Sequence, residues 1–186
     1  AENVGFGGGM NLGVARAEEL GATCFLLLNP DARIDAPAWR RLLSAASPEA
    51  LVAPRIVDGA GRPWFDGADV YLSDGRTMGA KHRSTRQGEP RWEWLTGACL
   101  LVHDELWRKV GGFDEDYFLY WEDVDFSRRV GDGGGRLQLV MDAVVVHDEG
   151  GTHGGDVRGR AKSNVYYYYA IRNRLMFAVK HLDVDG

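Results

Sequence analysis

The chain has 186 residues, 45% hydrophobic and 26% charged, a composition that suits one globular domain large enough to bury a core. Its formal net charge of −5 excludes a general nucleic-acid-binding surface, so an anionic ligand would need local cations or a metal ion. No apolar run approaches the roughly 20 residues of a membrane-spanning helix.

Residues 1–9 are glycine-rich and predict a loop. Met10 to Leu20 predicts a helix closed by Gly21. The apolar run Thr23–Leu28 predicts a strand buried on both faces, as in a parallel sheet. Pro37 opens a helix to Ala46, with Asp35 as its cap. Leu51–Ile56 reads as a strand, and Asp74-Gly75 marks the turn of a hairpin over Tyr71–Met78. Lys81–Arg91 is polar, charged and weakly patterned, so a mobile loop is expected. A buried strand over Ala98–Val102 leads to a helix over Asp104–Val110, ended by Gly111-Gly112. A further helix spans Asp123–Val130, and two strands follow, Leu137–Met141 and Ala143–His147. Asp148–Arg160 predicts a glycine-rich loop. Ser163–Leu182 predicts a helix whose apolar face carries positions 165, 168, 171, 175, 178, 179 and 182.

Strands alternating with helices, plus a hairpin, imply one α/β sandwich domain with a mixed sheet over residues 1–186. Cys24 and Cys99 sit in apolar runs without a CxxC partner and read as reduced core thiols of a cytosolic protein. The chain begins at Ala1 and runs straight into a patterned segment, from which the start of the natural protein is expected to lie upstream.

Five segments could carry chemistry. Asn29-Pro30-Asp31 follows an apolar strand, where ligands bind in open α/β sheets. Asp31 there could hold a divalent cation, or the segment could be an ordinary capped turn. Glu122-Asp123-Val124-Asp125 opens a helix with acids at its start and arginines at its end, which suits the macrodipole alone. Phe118-Leu119-Tyr120-Trp121 just before it suggests instead a partly desolvated pocket wall, where a carboxylate gains basicity. His147 ends a strand beside Asp148 and Glu149, as a metal ligand or a solvent-facing imidazole. The run Asn3–Gly13 could let main chain approach a phosphate, although it matches neither a GxGxxG fingerprint nor a P-loop. Trp94-Leu95-Thr96-Gly97 leads into a strand and offers main-chain donors or only a strand entry.

Their order is more specific than any one of them. Asn3-x-Gly-Phe-Gly, then Leu27-Leu-Asn-Pro-Asp31, Trp94-x-Thr-Gly97, Gly111-Gly-Phe-Asp114 running to Glu122-Asp-Val-Asp125, His147 and Arg172-Asn-Arg174 resemble family 2 glycosyltransferases, above all the rhamnosyltransferase branch. The resemblance covers nearly the whole chain. It implies a GT-A α/β/α sandwich with a mixed, mainly parallel sheet that lacks its first strands, and single displacement with inversion. By the same resemblance Asp123 is the catalytic base, supported by Glu122. Asp31 and His147 hold a divalent metal, Mg2+ or Mn2+. Asn3, Gly5, Phe6, Asn11, Asn29 and Asp31 bind the nucleotide-diphosphate sugar. Trp94, Thr96, Gly97 and Trp121 line the acceptor and sugar pocket. Asn29 stands where the family has the first acid of Asp-x-Asp. The implied partners are a nucleotide sugar and a glycan or lipid-linked acceptor, in the cytoplasm or at the inner face of the plasma membrane.

Two rival readings remain at this level. One is a glycoside hydrolase using Asp123 and Asp31; the other is a nucleotide-sugar-binding module without turnover. The helix over Ser163–Leu182, with Tyr166 to Tyr169 and several cations, reads either as a packing helix or as a peripheral membrane contact.

Overall fold

Leu51, Val52 and Ala53 are wholly buried, and they lie in the middle strand of a six-stranded sheet. The structure, a computed structural model, describes residues 2–148 and 163–182. In chain order the elements are α1 (Gly5–Glu19), β1 (Cys24–Leu28), β2 (Ala32–Ile34), α2 (Ala36–Ala45), β3 (Ala50–Val57), β4 (Pro63–Phe65), β5 (Ala68–Tyr71), β6 (Arg76–Gly79), β7 (Arg91–Trp94), β8 (Cys99–His103), α3 (Asp104–Val110), α4 (Glu122–Asp132), β9 (Arg136–His147) and α5 (Asn164–His181).

The main sheet has the order β1-β8-β3-β9-β2, with β4 added to β3. Only β3 and β9 pair in parallel; every other pair in this sheet is antiparallel. The sheet is therefore mixed as expected, but not mainly parallel. β1, β3 and β9 point one way, while β8 enters from the hairpin region and inserts between β1 and β3 in the opposite sense. β1 itself alternates buried and half-buried positions instead of being covered on both faces. Full burial of Leu42, Ile56, Leu100 and Leu101 binds helices to the sheet, each side chain contributing about 1.5–3 kcal/mol. Asp35 accepts from the Ala38 N–H at 2.7 Å and fixes the start of α2, as its position before Pro37 predicts.

Several expectations change. The glycines before Met10 are helical from Gly5 onward. Gly7 and Gly8 are buried, and a Cβ on Gly7 would meet the Phe113 Cβ at 3.0 Å. Their glycines serve close packing of α1. Residues 81–91 are not a bare loop: a 3-10 turn runs over Ala80–Thr85, and β7 begins at Arg91. Arg83 anchors that turn through two bonds of 2.7 and 2.9 Å to the fully buried Asp69. Leu137–His147 is one strand, with an irregularity where Pro54 faces Val140 and Arg55 faces Val144. The glycine-rich loop expected over residues 148–160 lies outside the described residues, apart from Asp148.

Of the positions that mark the apolar face of α5, Val165, Tyr168, Ile171, Leu175 and Val179 are exposed, and Ala178 and Leu182 are half-buried, so that face is not packed inward as a whole. The inward side instead carries Asn173 and Phe177. Phe177 packs its ring on Trp92 and Trp121, at centroid distances of 6.0 and 5.3 Å. The inward side is thus set by the Asn173 amide and the Phe177 ring, not by the hydrophobic stripe.

Candidate active site

Three strands that point the same way end on one rim. Asn29-Pro30-Asp31, a three-residue link, joins β1 to β2 there, from one end of the strand order to the other. β2 pairs with β9 so that Ala32 faces His147, and this register brings Asp31 to the histidine. His147 Nε2 lies 3.0 Å from Asp31 Oδ1 and 3.4 Å from Asn29 Nδ2. The imidazole is 6% exposed, and the Trp64 ring meets it edge-on at 4.7 Å. Among the described residues, the buried Asn29 Oδ1 and His147 Nδ1 have no hydrogen-bond partner. A carboxylate, an imidazole and a side-chain amide thus meet on one rim. That donor set fits a divalent cation.

The second cluster is joined to the first by main chain. Asn29 N–H donates to Ala98 O at 3.0 Å, and the adjoining Gly97 N–H donates to Asp123 Oδ2 at 2.9 Å. Asp123 Oδ1 accepts from Val124 N–H at 2.9 Å. Burial pushes the Asp123 carboxyl above the usual range, and the main-chain donors of Gly97 and Val124 pull against that shift. Glu122 is 6% exposed, and its Oε2 has no hydrogen-bond partner among the described residues. Burial first, and then the neighbouring Asp123 charge, push Glu122 up as well. Asp125 behaves oppositely. Burial would raise it, but a 2.7 Å bond from His181 Nε2 and the Arg129 guanidinium at 2.7 Å hold it below the usual range. Of the three acids at the start of α4, Asp123 is the half-buried one with a bonded, upward-shifted carboxylate.

The approach to this cluster is conformationally strained. Phe118, Tyr120 and Trp121 have φ of 55, 65 and 74°, which costs about 1–3 kcal/mol at each non-glycine residue. Gly5, at φ 77°, lets α1 start against the Phe118 carbonyl, where a Cβ would clash outright. Phe6 N–H donates to that same carbonyl at 2.9 Å. The Phe6 ring reaches Gly97, whose Cβ would sit 3.0 Å from Phe6 Cε1 and 3.5 Å from Asp123 Cβ. Gly5, Phe6, Gly97 and Asp123 therefore form one neighbourhood, although they are distant in sequence.

Of the other sequence-predicted residues, Asn3 accepts from Gly5 N–H at 3.0 Å. Asn11 is committed to the Gly112–Phe113 loop. Its Nδ2 donates to Phe113 O and Glu115 Oε1, and its Oδ1 accepts from Phe113 N–H, each at 2.9 Å. Thr96 is buried and accepts from Ala98 N–H at 3.3 Å. Trp94 packs on Phe65 and lines a cavity of about 100 Å³ with Asp66, Arg83 and Glu93. Trp121 lines a cleft of about 470 Å³ with Arg76, Tyr166, Ile171, Arg174 and Leu175. The sequence reading missed Trp64 and Asn173. A lone exposed tryptophan after Pro63 gives no periodic signal, whereas Asn173 stood inside the Arg172-Asn-Arg174 motif without a role.

A solved structure titled GalNAc-T7 with UDP, GalNAc and Mn2+ superposes on 88% of this chain and 34% of that one, with TM-score 0.56 and 14% sequence identity. The chain has the GT-A glycosyltransferase fold. Three relatives in sequence carry glycosyltransferase names. The Mycobacterium tuberculosis protein named N-acetylglucosaminyl-diphospho-decaprenol L-rhamnosyltransferase is 46% identical over 63 residues, 34% of this chain and 20% of that protein. The Haloferax volcanii low-salt glycan biosynthesis hexosyltransferase Agl10 is 26% identical over 184 residues, 94% of this chain and 57% of that protein. The Escherichia coli rhamnosyltransferase WbbL is 36% identical over 55 residues, 30% of this chain and 21% of that protein. The GT-A chain thus spans 57% or less of the length of each of these relatives. No protein-family model matches it.

One other acidic group needs separating from this site. Among the described residues, His103, Asp104 and Glu105 are close enough together to share a cation. They lie at the far end of β8, where His103 pairs with Cys24, the first residue of β1. His103 caps α3 by accepting from Glu105 N–H, and Arg108 pairs with Asp104 at 2.7 Å. That arrangement is a helix start with its charge balanced.

Proposed function

We propose that the protein is an inverting glycosyltransferase that moves a sugar from a nucleoside-diphosphate donor to an acceptor hydroxyl. The observation that carries this reading is the Asn29–Ala98–Gly97–Asp123 connection, which ties a cation-competent rim to a half-buried, upward-shifted carboxylate. The similarity to rhamnosyl- and hexosyltransferases supports a rhamnosyl or related transfer in glycan synthesis.

Asp123 takes the acceptor proton. The hydroxyl oxygen forms its bond to the anomeric carbon as the bond to the diphosphate oxygen breaks, and the diphosphate leaves with that electron pair. Attack from the face opposite the leaving group inverts the configuration. A raised carboxylate pKa makes Asp123 a stronger base while it is still ionised at neutral pH. Gly97 and Val124 hold its two oxygens in place. Asp31 and His147, with Asn29, would hold the divalent metal, which neutralises charge on the leaving diphosphate when bound. The 470 Å³ cleft beside Trp121 is the acceptor entrance in this reading. Its Arg76 and Arg174, with the exposed Ile171 and Leu175 of α5, suit an acceptor that joins anionic groups to an apolar chain. Peripheral membrane contact through that exposed stripe follows from the same surface. Among the described residues no helix is long and apolar enough to cross a membrane. Pelleting with anionic liposomes tests the contact.

The function is tested with a panel of nucleotide sugars, dTDP-L-rhamnose and UDP-hexoses first, in the presence of manganese. Release of nucleoside diphosphate that depends on acceptor supports transfer. Cleavage of simple glycosides without nucleotide or metal would instead show a hydrolase, and nucleotide binding without turnover a binding module.

A further inference from the structure

We propose that Asn173 is a positioning residue for the general base, holding the strained turn that delivers Asp123 to the site. The proposal rests on Asp123 being that base. Asn173 sits on α5, 50 residues along the chain from Asp123, and has no exposed surface. Its Nδ2 lies 2.7, 2.8 and 2.7 Å from the carbonyl oxygens of Tyr117, Leu119 and Tyr120. Its Oδ1 accepts from Arg172 Nη1 at 2.7 Å, and the same guanidinium nitrogen donates to Asp116 O at 2.8 Å. This pattern fixes the amide orientation, because a flipped amide would point its oxygen at three carbonyls.

The turn so gripped is the one that needs gripping. Phe118, Tyr120 and Trp121 all have positive φ, and Trp121 is the residue on which α4 begins. Such conformations persist only where the surroundings over-determine them. Three carbonyls turned inward toward one buried amide supply that constraint, and Phe177, one turn along α5, backs Trp121. The same turn offers the Phe118 carbonyl to Phe6, whose ring borders Gly97, the residue that donates to Asp123. Released from Asn173, the turn can relax, and the start of α4 shifts with it. Substrate contacts made elsewhere, on the rim of Asp31 and His147, would be left intact. The expected signature is therefore a loss in kcat without a matching change in donor KM.

Asn173→Asp keeps the size and removes both donors, placing an oxygen among the three carbonyls. Asn173→Ala removes the amide without that repulsion and serves if the aspartate variant does not fold. Both are compared with Asp123→Asn in the full-length protein, using the nucleotide sugar that the panel finds active, well below the melting temperature of each variant. The expected result is a fall in kcat of about 100-fold with donor KM within about 2-fold, the scale seen when reacting groups are misplaced by about 1 Å. If Asp123→Asn is inactive while the folded Asn173 variants keep wild-type kcat, the positioning role is overturned and the function stands. If Asp123→Asn keeps full kcat, the base assignment itself is overturned.

Discussion

Gly97 donates its main-chain N–H to Oδ2 of Asp123 at 2.9 Å, across 26 residues of sequence. With Val124 N–H on Oδ1, the carboxylate has a main-chain donor on each oxygen. Bonds of this kind favour the ionised form, whereas burial disfavours it. The balance leaves a base that is oriented, ionised at neutral pH and more basic than a free aspartate.

Asp123→Asn tests the base directly. The amide has nearly the same shape but cannot accept the acceptor proton. kcat should fall by about 100- to 10,000-fold, the usual contribution of general base catalysis. Donor affinity, measured by calorimetry with the nucleoside diphosphate, should stay near the wild-type value, and turnover within a few-fold of wild type would remove Asp123 from the mechanism.

Gly5→Ala tests the contact between α1 and the strained turn. Gly5 has φ 77° and lies against the Phe118 carbonyl. A methyl group there meets a backbone atom that cannot swing aside. The variant should lose about 2 kcal/mol or more, from the positive φ and the clash together. For a chain of this size that lowers the melting temperature by roughly 4–8 °C. An unchanged thermal midpoint would mean that this contact does not form.

Much of this neighbourhood was legible in the sequence. Asn29-Pro30-Asp31 and His147 could be placed at strand ends from apolar runs that stop abruptly, and Glu122-Asp123 from a helix start following aromatics. Two things were not. Strand direction depends on which neighbours pair, and nothing local to Ala98–Val102 shows that β8 inserts antiparallel between β1 and β3. The orientation of α5 stayed open because the apolar stripe with Ile171, Leu175 and Val179 suits a packing face or a membrane contact equally. Burial of Asn173 against three carbonyls, and of Phe177 against two tryptophans, overrides that stripe. Such contacts depend on a turn that no helical period can reveal.

Glu122→Gln should change the pH dependence of stability. The fold raises the pKa of Glu122, through burial and the Asp123 charge. Stability from this group is therefore fully present below its unfolded value and is lost as pH rises through its folded value. Glutamine stays neutral throughout. Thermal melts should show the variant close to wild type at about pH 4 and more stable than wild type at about pH 9. A constant offset across that range would show that the Glu122 charge is not suppressed by the fold.

Asp31→Ala and His147→Ala test the rim as a cation site. His147 Nε2 already stands 3.0 Å from Asp31 Oδ1 and 3.4 Å from the Asn29 amide nitrogen, so the side chains of the rim are held together in advance. Either substitution removes a donor that the other residues cannot replace. Nucleoside diphosphate binding should tighten with manganese in the wild type and respond much less in both variants. Removing a group that supports a metal site commonly costs 10- to 100-fold in affinity, and a direct ligand should cost at least about that much. Titration of each protein with and without chelator checks this. The two variants separate the roles further. Asp31 is partly exposed, and its loss should act mainly through the cation. His147 is almost fully buried against Trp64, so its loss also opens a void and should lower the melting temperature without any metal. Equal manganese dependence in all three proteins would place the cation elsewhere.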